Sequence, residues 1–178
     1  GDLYIDFDNK SSFSNYHREL DLNDAVVRVS YTQNGVDYKR EIFTSYPAQL
    51  MVTKFTASEK GKISFRCNMN RPERYRTFVK DKQLIMQGAL KDGRDGDYLQ
   101  YMTRLKAVNK GGEVIYADST LTVKNADEVI LFLAASTDYK LEYPNYKGRD
   151  YVYITNKAIL KAVSTTYDDL LQEHLKEY

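Results

Sequence analysis

The chain has 178 residues, 42% of them hydrophobic, which is enough for one domain with a real core and short for two. Against 25 acidic side chains stand 26 basic ones, a net charge of +1, so no field steers nucleic acid or an anionic membrane and neither is expected as a partner. No apolar run approaches the roughly 20 residues that span a bilayer, and no basic-then-apolar leader opens the chain, although a chain begun after its signal would look the same.

The ring content is 16 Tyr and 7 Phe without Trp, a bias toward half-buried pleated surfaces. Leu3–Phe7 is short and β-prone. Ala25–Tyr31 and Val36–Phe43 flank Asn34-Gly35, whose ready positive φ values suit a type I′ hairpin turn. Gln49–Thr56 and Lys62–Met69, joined by Ser58–Gly61, read as a second hairpin with glycine closing its turn. Cys67 is alone, which excludes an internal disulfide. It reads as a small strand residue on the face of Ser64, opposite Ile63 and Phe65.

Gln83–Gly88, Tyr98–Ala107, Val114–Tyr116 and Thr120–Val123 continue the strand pattern. Glu128–Ala135 is a continuous apolar run of strand length, the mark of a central strand buried on both faces. Roughly nine strands bounded by Gly, Asn, Asp or Pro argue for a mostly β domain, a large antiparallel β-sandwich or barrel. No fixed repeat supports a propeller or solenoid.

The pattern turns helical after Tyr153. Thr166-Tyr-Asp-Asp169 has the form of a capping box. Leu170, Leu171, His174, Leu175 and Tyr178 then recur at helical spacing. The chain ends mid-pattern, so this stripe is expected to stand uncovered, as at a cut.

Several constellations could carry chemistry. Glu19 and Asp21 share a face of an extended segment, and two residues of strand span about 6.6–6.8 Å, within the carboxylate separation of inverting glycosidases. Arg18 and Arg40 nearby favour structural ion pairs instead. Asp92-Gly-Arg-Asp-Gly-Asp97 invites a calcium reading, but Arg94 breaks the EF-hand pattern and a solvated hairpin loop is expected. His17 lacks a second ligand close in sequence for zinc, and His174 reads as a packing residue. Arg71–Arg76 is basic but too short for a nucleic-acid surface. The stretch Tyr139–Tyr153 is the one that could touch sugar, through Tyr139, Tyr143, Asn145, Tyr146, Arg149 and Tyr151, and it is equally placed to pack against a neighbouring domain. No cofactor is called for.

Tyr16-His-Arg-Glu-Leu-Asp-Leu22, Ala25 and the run from Gly35 through Val36, Tyr38, Arg40, Glu41, Phe43 and Ser45 to Tyr46-Pro47 resemble the N-terminal domain of family 95 glycoside hydrolases, the α-L-fucosidase and α-L-galactosidase family. Gly1–Tyr4, Ala126–Val129, Ala134–Thr137 and Tyr167–His174 extend the likeness to essentially the whole chain. The family usually has arginine where His17 stands, and its members carry further strands before the position of Gly1, including a Gly-Asn-Gly segment. The resemblance implies a supersandwich over residues 1–155 and, over 156–178, the start of a helical linker to an (α/α)₆ catalytic barrel. It also implies inverting hydrolysis of a terminal α-linked fucose by residues of that barrel, so no catalytic residue carries over. The barrel of the same polypeptide and a glycan at the domain edge are the implied partners, and the periplasm or cell exterior the implied location. A stand-alone carbohydrate-binding module and a structural or adhesion sandwich are the alternatives.

Overall fold

The computed structural model describes residues 1–8, 11–90 and 99–178. Twelve strands and two helices run in the order β1 (Asp2–Asp6), β2 (Phe13–Asp21), β3 (Val26–Gln33), β4 (Val36–Ser45), β5 (Leu50–Ala57), β6 (Ile63–Asn70), β7 (Tyr75–Lys80), β8 (Gln83–Leu90), β9 (Leu99–Lys110), β10 (Glu113–Ala117), β11 (Thr120–Ala126), β12 (Glu128–Thr137), α1 (Tyr151–Val163) and α2 (Tyr167–Glu177) among the described residues. The strands form two antiparallel sheets, one ordered β1-β6-β11-β10 and the other β2-β3-β4-β5-β12-β9-β8-β7. The molecule is mostly β, as its sequence implies.

The eight-stranded sheet is the middle of three layers. Its inner face packs on the small sheet through Phe55, Leu84, Met86, Leu105, Val129 and Leu131, which meet Ile63, Phe65, Cys67, Leu121 and Val123. Its outer face carries Val26, Phe43, Val52, Phe132 and Ala134 against Ile159, Ala162, Tyr167 and Leu170 of the helices. This explains the unbroken apolar run of β12: successive side chains point to opposite faces, and here both are covered. Neither the buried residues of the inner core nor the half-buried ones beside them come from β2, β3 or β4. The small sheet therefore roofs only part of the large one.

Asn34 and Gly35 take φ of 51° and 77°, and Gln33 pairs with Val36, as the type I′ turn requires. The second expected hairpin does not form. β5 lies in the large sheet and β6 in the small one, so Ser58–Gly61 crosses between layers. Ser58 N donates to Asp37 O at 2.9 Å and Gly61 N to Asp127 Oδ1 at 2.8 Å, which fixes the crossing. A tight turn leaves open whether the next strand pairs or folds over; here burial of both apolar faces decides it. Cys67 faces inward with Ile63, Phe65 and Met69, not with Ser64, because residues three apart in a strand point oppositely. Burial pushes its thiol up to about 12, with Asp6 adding to the rise.

β2 and β7 are edge strands without clean alternation, so β7 is hidden in a basic stretch of sequence and β2 reads only as extended. The stripe of α2 is not left uncovered. Tyr167, Leu170 and His174 are buried, and His174 stacks on Phe43 with ring centroids 5.0 Å apart. Its Nε2 lies 2.9 Å from the Asp24 carbonyl oxygen, which can only accept, so that nitrogen carries the proton. Thr166 caps α2, accepting from Asp169 N at 3.1 Å and donating to the Asp169 carboxylate at 2.7 Å.

Candidate functional site

The loop from Asp138 to Asp150 joins β12 to α1. Gly148 N and Arg149 N both donate to Asp138 O, at 3.0 and 3.1 Å. The Asp138 carboxylate in turn accepts from Gln100 N at 2.9 Å, so the base of the loop is tied to β9. Lys140 N donates to Tyr146 O at 3.1 Å and Tyr146 N to Glu142 O at 2.8 Å. A compact hairpin-like loop results, with a cis Tyr143-Pro144 bond and Gly148 at φ 117°.

This arrangement gathers three of the six sequence candidates. Tyr139 and Tyr146 lie parallel with centroids 6.4 Å apart, and Tyr143 stands edge-on to Tyr146 at 6.3 Å. All three are exposed, Tyr143 by 87%, and so is Asn145 beside them. Arg149 and Tyr151 are placed elsewhere. Arg149 lines a cleft of about 340 Å³ with Gln49, Ser136, Thr137, Thr155 and Ala158. Tyr151 opens α1, and its hydroxyl accepts from Gln87 Nε2 at 3.4 Å. Gln49 and Thr155 carry no sequence signal for this cleft, since only the packing of α1 across the ends of β9 and β12 creates it.

α1 starts under control of Asp150, whose carboxylate accepts from Tyr153 N at 2.9 Å. A polar network then seats it. Arg104 is buried, donating from Nε to Thr155 Oγ1 at 3.0 Å and from a terminal nitrogen to Gln83 Oε1 at 3.2 Å. Gln83 Nε2 reaches Asn156 Oδ1 at 3.1 Å. Burial pushes the Arg104 guanidinium down from its ordinary value, against the pull of Asp81. With Thr155, Ile159 and Ala162 buried on the sheet, Val152, Tyr153, Leu160 and Val163 remain exposed. At 3.6 residues per turn these four fall within an arc of about 100°, adjoining the buried face. α1 is thus apolar over more of its girth than one contact uses.

The carboxylates of the Tyr16–Leu22 segment are held in ion pairs. Arg28, rather than Arg18 or Arg40, is their partner: it lies 3.0 Å from Asp21, 3.2 Å from Asp24, 3.6 Å from Glu19 and 3.7 Å from Glu41. The Asn23 backbone N–H and the Arg28 guanidinium hold Asp21 below the usual carboxylate range. His17 adds a contact of 3.2 Å to Glu19. The loop Asp92–Asp97 lies outside the described residues.

Among the described residues the chain is thus a two-layer antiparallel sandwich strapped by two helices, with Glu19 and Asp21 engaged in ion pairs. Its fold is that of part of "Putative kojibiose phosphorylase from human microbiome", with a TM-score of 0.61 at 12% identity over 98% of this chain and 26% of that one. The chain belongs to the family described as "Glycosyl hydrolase family 65, N-terminal domain", which matches residues 1–142. Over 206 residues it is 31% identical to "Alpha-L-fucosidase 2" of Arabidopsis thaliana, covering 100% of this chain and 24% of that protein. Against "Probable alpha-fucosidase A" of Aspergillus oryzae it is 20% identical over 186 residues, 99% of this chain and 26% of that one. The chain therefore spans about a quarter of the curated relatives it matches.

Proposed function

We propose that this chain is the non-catalytic N-terminal domain of an inverting α-L-fucosidase-like enzyme of the family 95 type, and that it braces a catalytic (α/α)₆ barrel in the same polypeptide. The observation that carries this is the second apolar flank of α1, Val152, Tyr153, Leu160 and Val163, left in water on a helix already anchored by its first. An exposed apolar patch of this kind marks a contact surface. The rest of the enzyme is its occupant, since the chain spans only about a quarter of its fucosidase-named relatives.

On this reading residues 1–155 hold the sandwich and the first turn of α1, and 156–178 carry the rest of the helical start of the linker. The tyrosine loop with Tyr139, Tyr143, Asn145 and Tyr146, and Arg149 and Tyr151 behind it, lies at the barrel-facing edge and walls one side of the substrate cleft. The parent enzyme works in the periplasm or outside the cell. The tyrosine cluster by itself also favours a second reading, a carbohydrate-binding module, which would keep affinity for fucosylated glycans as an isolated domain.

The test compares the 178-residue chain with the whole enzyme. An aryl α-L-fucoside should be hydrolysed by the whole enzyme only. Leu160→Asp should lower the thermal midpoint of the whole enzyme while leaving that of the 178-residue chain within a degree or so, because Leu160 is 59% exposed in the chain alone. Equal shifts in both, or none in either, would falsify the bracing role.

A further inference from the structure

A groove of about 400 Å³ opens on the inner face of the large sheet, where the small sheet does not reach, lined by Phe13, Tyr16, Arg18, Tyr31, Gln33 and Arg40 among others. It lies on the face opposite α1: Arg40 in β4 points away from Phe43, which packs beneath the helices. It is thus independent of the bracing surface.

The groove is built by a β-bulge. β2 and β3 pair as Ser14 with Thr32 and then as His17 with Ser30, so one extra residue is inserted, and Asn15 takes φ of 53°. Because strand side chains alternate, the insertion switches which residues of β2 face the groove, from Phe13 before it to Tyr16 and Arg18 after it. Bulges re-aim side chains in this way. Without it Tyr16 and Arg18 would point to the other face.

Two features define what the groove can hold. Phe13 and Tyr16 are 61% and 54% exposed, with centroids 5.7 Å apart, and Phe13 meets Tyr31 edge-on at 6.2 Å. They form an aromatic wall facing solvent. Beside it Arg40 is fixed, its guanidinium carbon 4.4 Å from the Phe7 ring centroid and 5.4 Å from that of Tyr31, with a hydrogen bond of 3.1 Å to the Tyr31 hydroxyl. Arg18 is the second cation, and among the described residues no carboxylate lines the groove. Among the described residues neither arginine is in an ion pair, whereas Arg28 on the opposite face meets four carboxylates.

From this we infer that the groove between Phe13, Tyr16, Arg18 and Arg40 binds a uronic-acid residue of a glycan. The pyranose ring lies on the aromatic wall, and its planar carboxylate takes two parallel N–H bonds from a guanidinium, the geometry that matches the arginine fork. Concave sites that mix apolar walls with a few fixed polar groups are the usual form for such ligands.

Calorimetric titration of the 178-residue chain with trigalacturonate, galactotriose and a sulfated trisaccharide tests it, with backbone-amide NMR locating the site. Trigalacturonate should bind at least about tenfold more tightly than galactotriose, with shifts centred on Phe13–Arg18 and Tyr31. Arg18→Gln and Tyr16→Ala, both on exposed side chains, should each weaken it severalfold without lowering the thermal midpoint. Equal affinity for neutral and acidic sugars overturns the inference. So does equal affinity for the sulfated sugar, or acidic binding that ignores Tyr16→Ala, since each describes a charge patch and no uronate site. Binding by the 178-residue chain that vanishes in the whole enzyme overturns it too, because the groove would then be an internal contact.

Discussion

At the residue scale the ion-pair hub of Arg28 is the most consequential polar feature. Sequence places arginines beside Glu19 and Asp21 but cannot say which of them turns toward the acids. Register does: Arg28 lies opposite Glu19 on one side and Glu41 on the other, flanked by Asp21 and Asp24. Asp21, bonded by the Asn23 N–H and by Arg28, is held below its ordinary 3.8. A carboxyl with a lowered folded-state value stabilises the fold above its unfolded pKa and loses that contribution as pH falls through the folded one. Arg28→Met should therefore cost most stability at neutral pH, where four carboxylates lose their shared cation. The gap to the natural chain should begin to narrow below about pH 4, the unfolded value of Asp21, and go on narrowing as pH falls through its lowered folded value. Urea denaturation at pH 7 and pH 3.5 checks this; a gap that stays constant would remove the hub from the account.

At the element scale, α2 shows a local signal and a tertiary one acting together. Thr166 and Asp169 announce the helix start, and the structure has Thr166 accepting the Asp169 N–H. Removing that acceptor by Thr166→Ala should cost about 1 kcal/mol, read as a lower midpoint in chemical denaturation with an unchanged slope. Thr166→Asn should restore most of it, as an equally good cap. What Leu170 and His174 pack against is invisible locally, and their partners Phe43 and Val26 lie far away in sequence. α1 is the converse case. Its buried face mixes Thr155 with Ile159 and Ala162, and Thr155 is tolerable there because its hydroxyl accepts from Arg104 at 3.0 Å and donates to Tyr151 O at 2.8 Å. The helical pattern was thus readable only from about Tyr153 onward and without its partner.

For the whole molecule, layering determines where stability concentrates. β12 lies between β5 and β9, with the small sheet on one face and helices on the other. Glu128 at its start is approached by Lys110 at 2.8 Å and Lys54 at 3.3 Å. Burial alone would raise its carboxyl, but these two ammonium groups outweigh it and hold it below its ordinary 4.5. Lys54 also sits 4.3 Å from the Tyr167 ring centroid, linking the sheet to α2. Native-state amide exchange should accordingly be slowest in β5, β12 and β9, which open only with the whole fold. It should be fastest in β2, whose side chains are exposed at all but its last position. Comparable protection of β2 and β12 would contradict this layering.

Local residue patterns suffice for the strand-rich class, the Asn34-Gly35 turn, the two-faced burial of Glu128–Ala135, the α2 cap and the resemblance to a glycoside hydrolase N-terminal domain. These rest on alternation, positive-φ preference and capping chemistry, all properties of residues close together in the chain. Long-range packing is what makes Ser58–Gly61 cross between sheets, gives the acidic cluster Arg28 as its cation, parts Arg149 and Tyr151 from the tyrosine stack, and lets a bulge near Asn15 turn Tyr16 and Arg18 into a groove. Each depends on which faces meet across long separations. A local pattern says that a face is apolar or charged, and the packing of distant strands chooses what it meets.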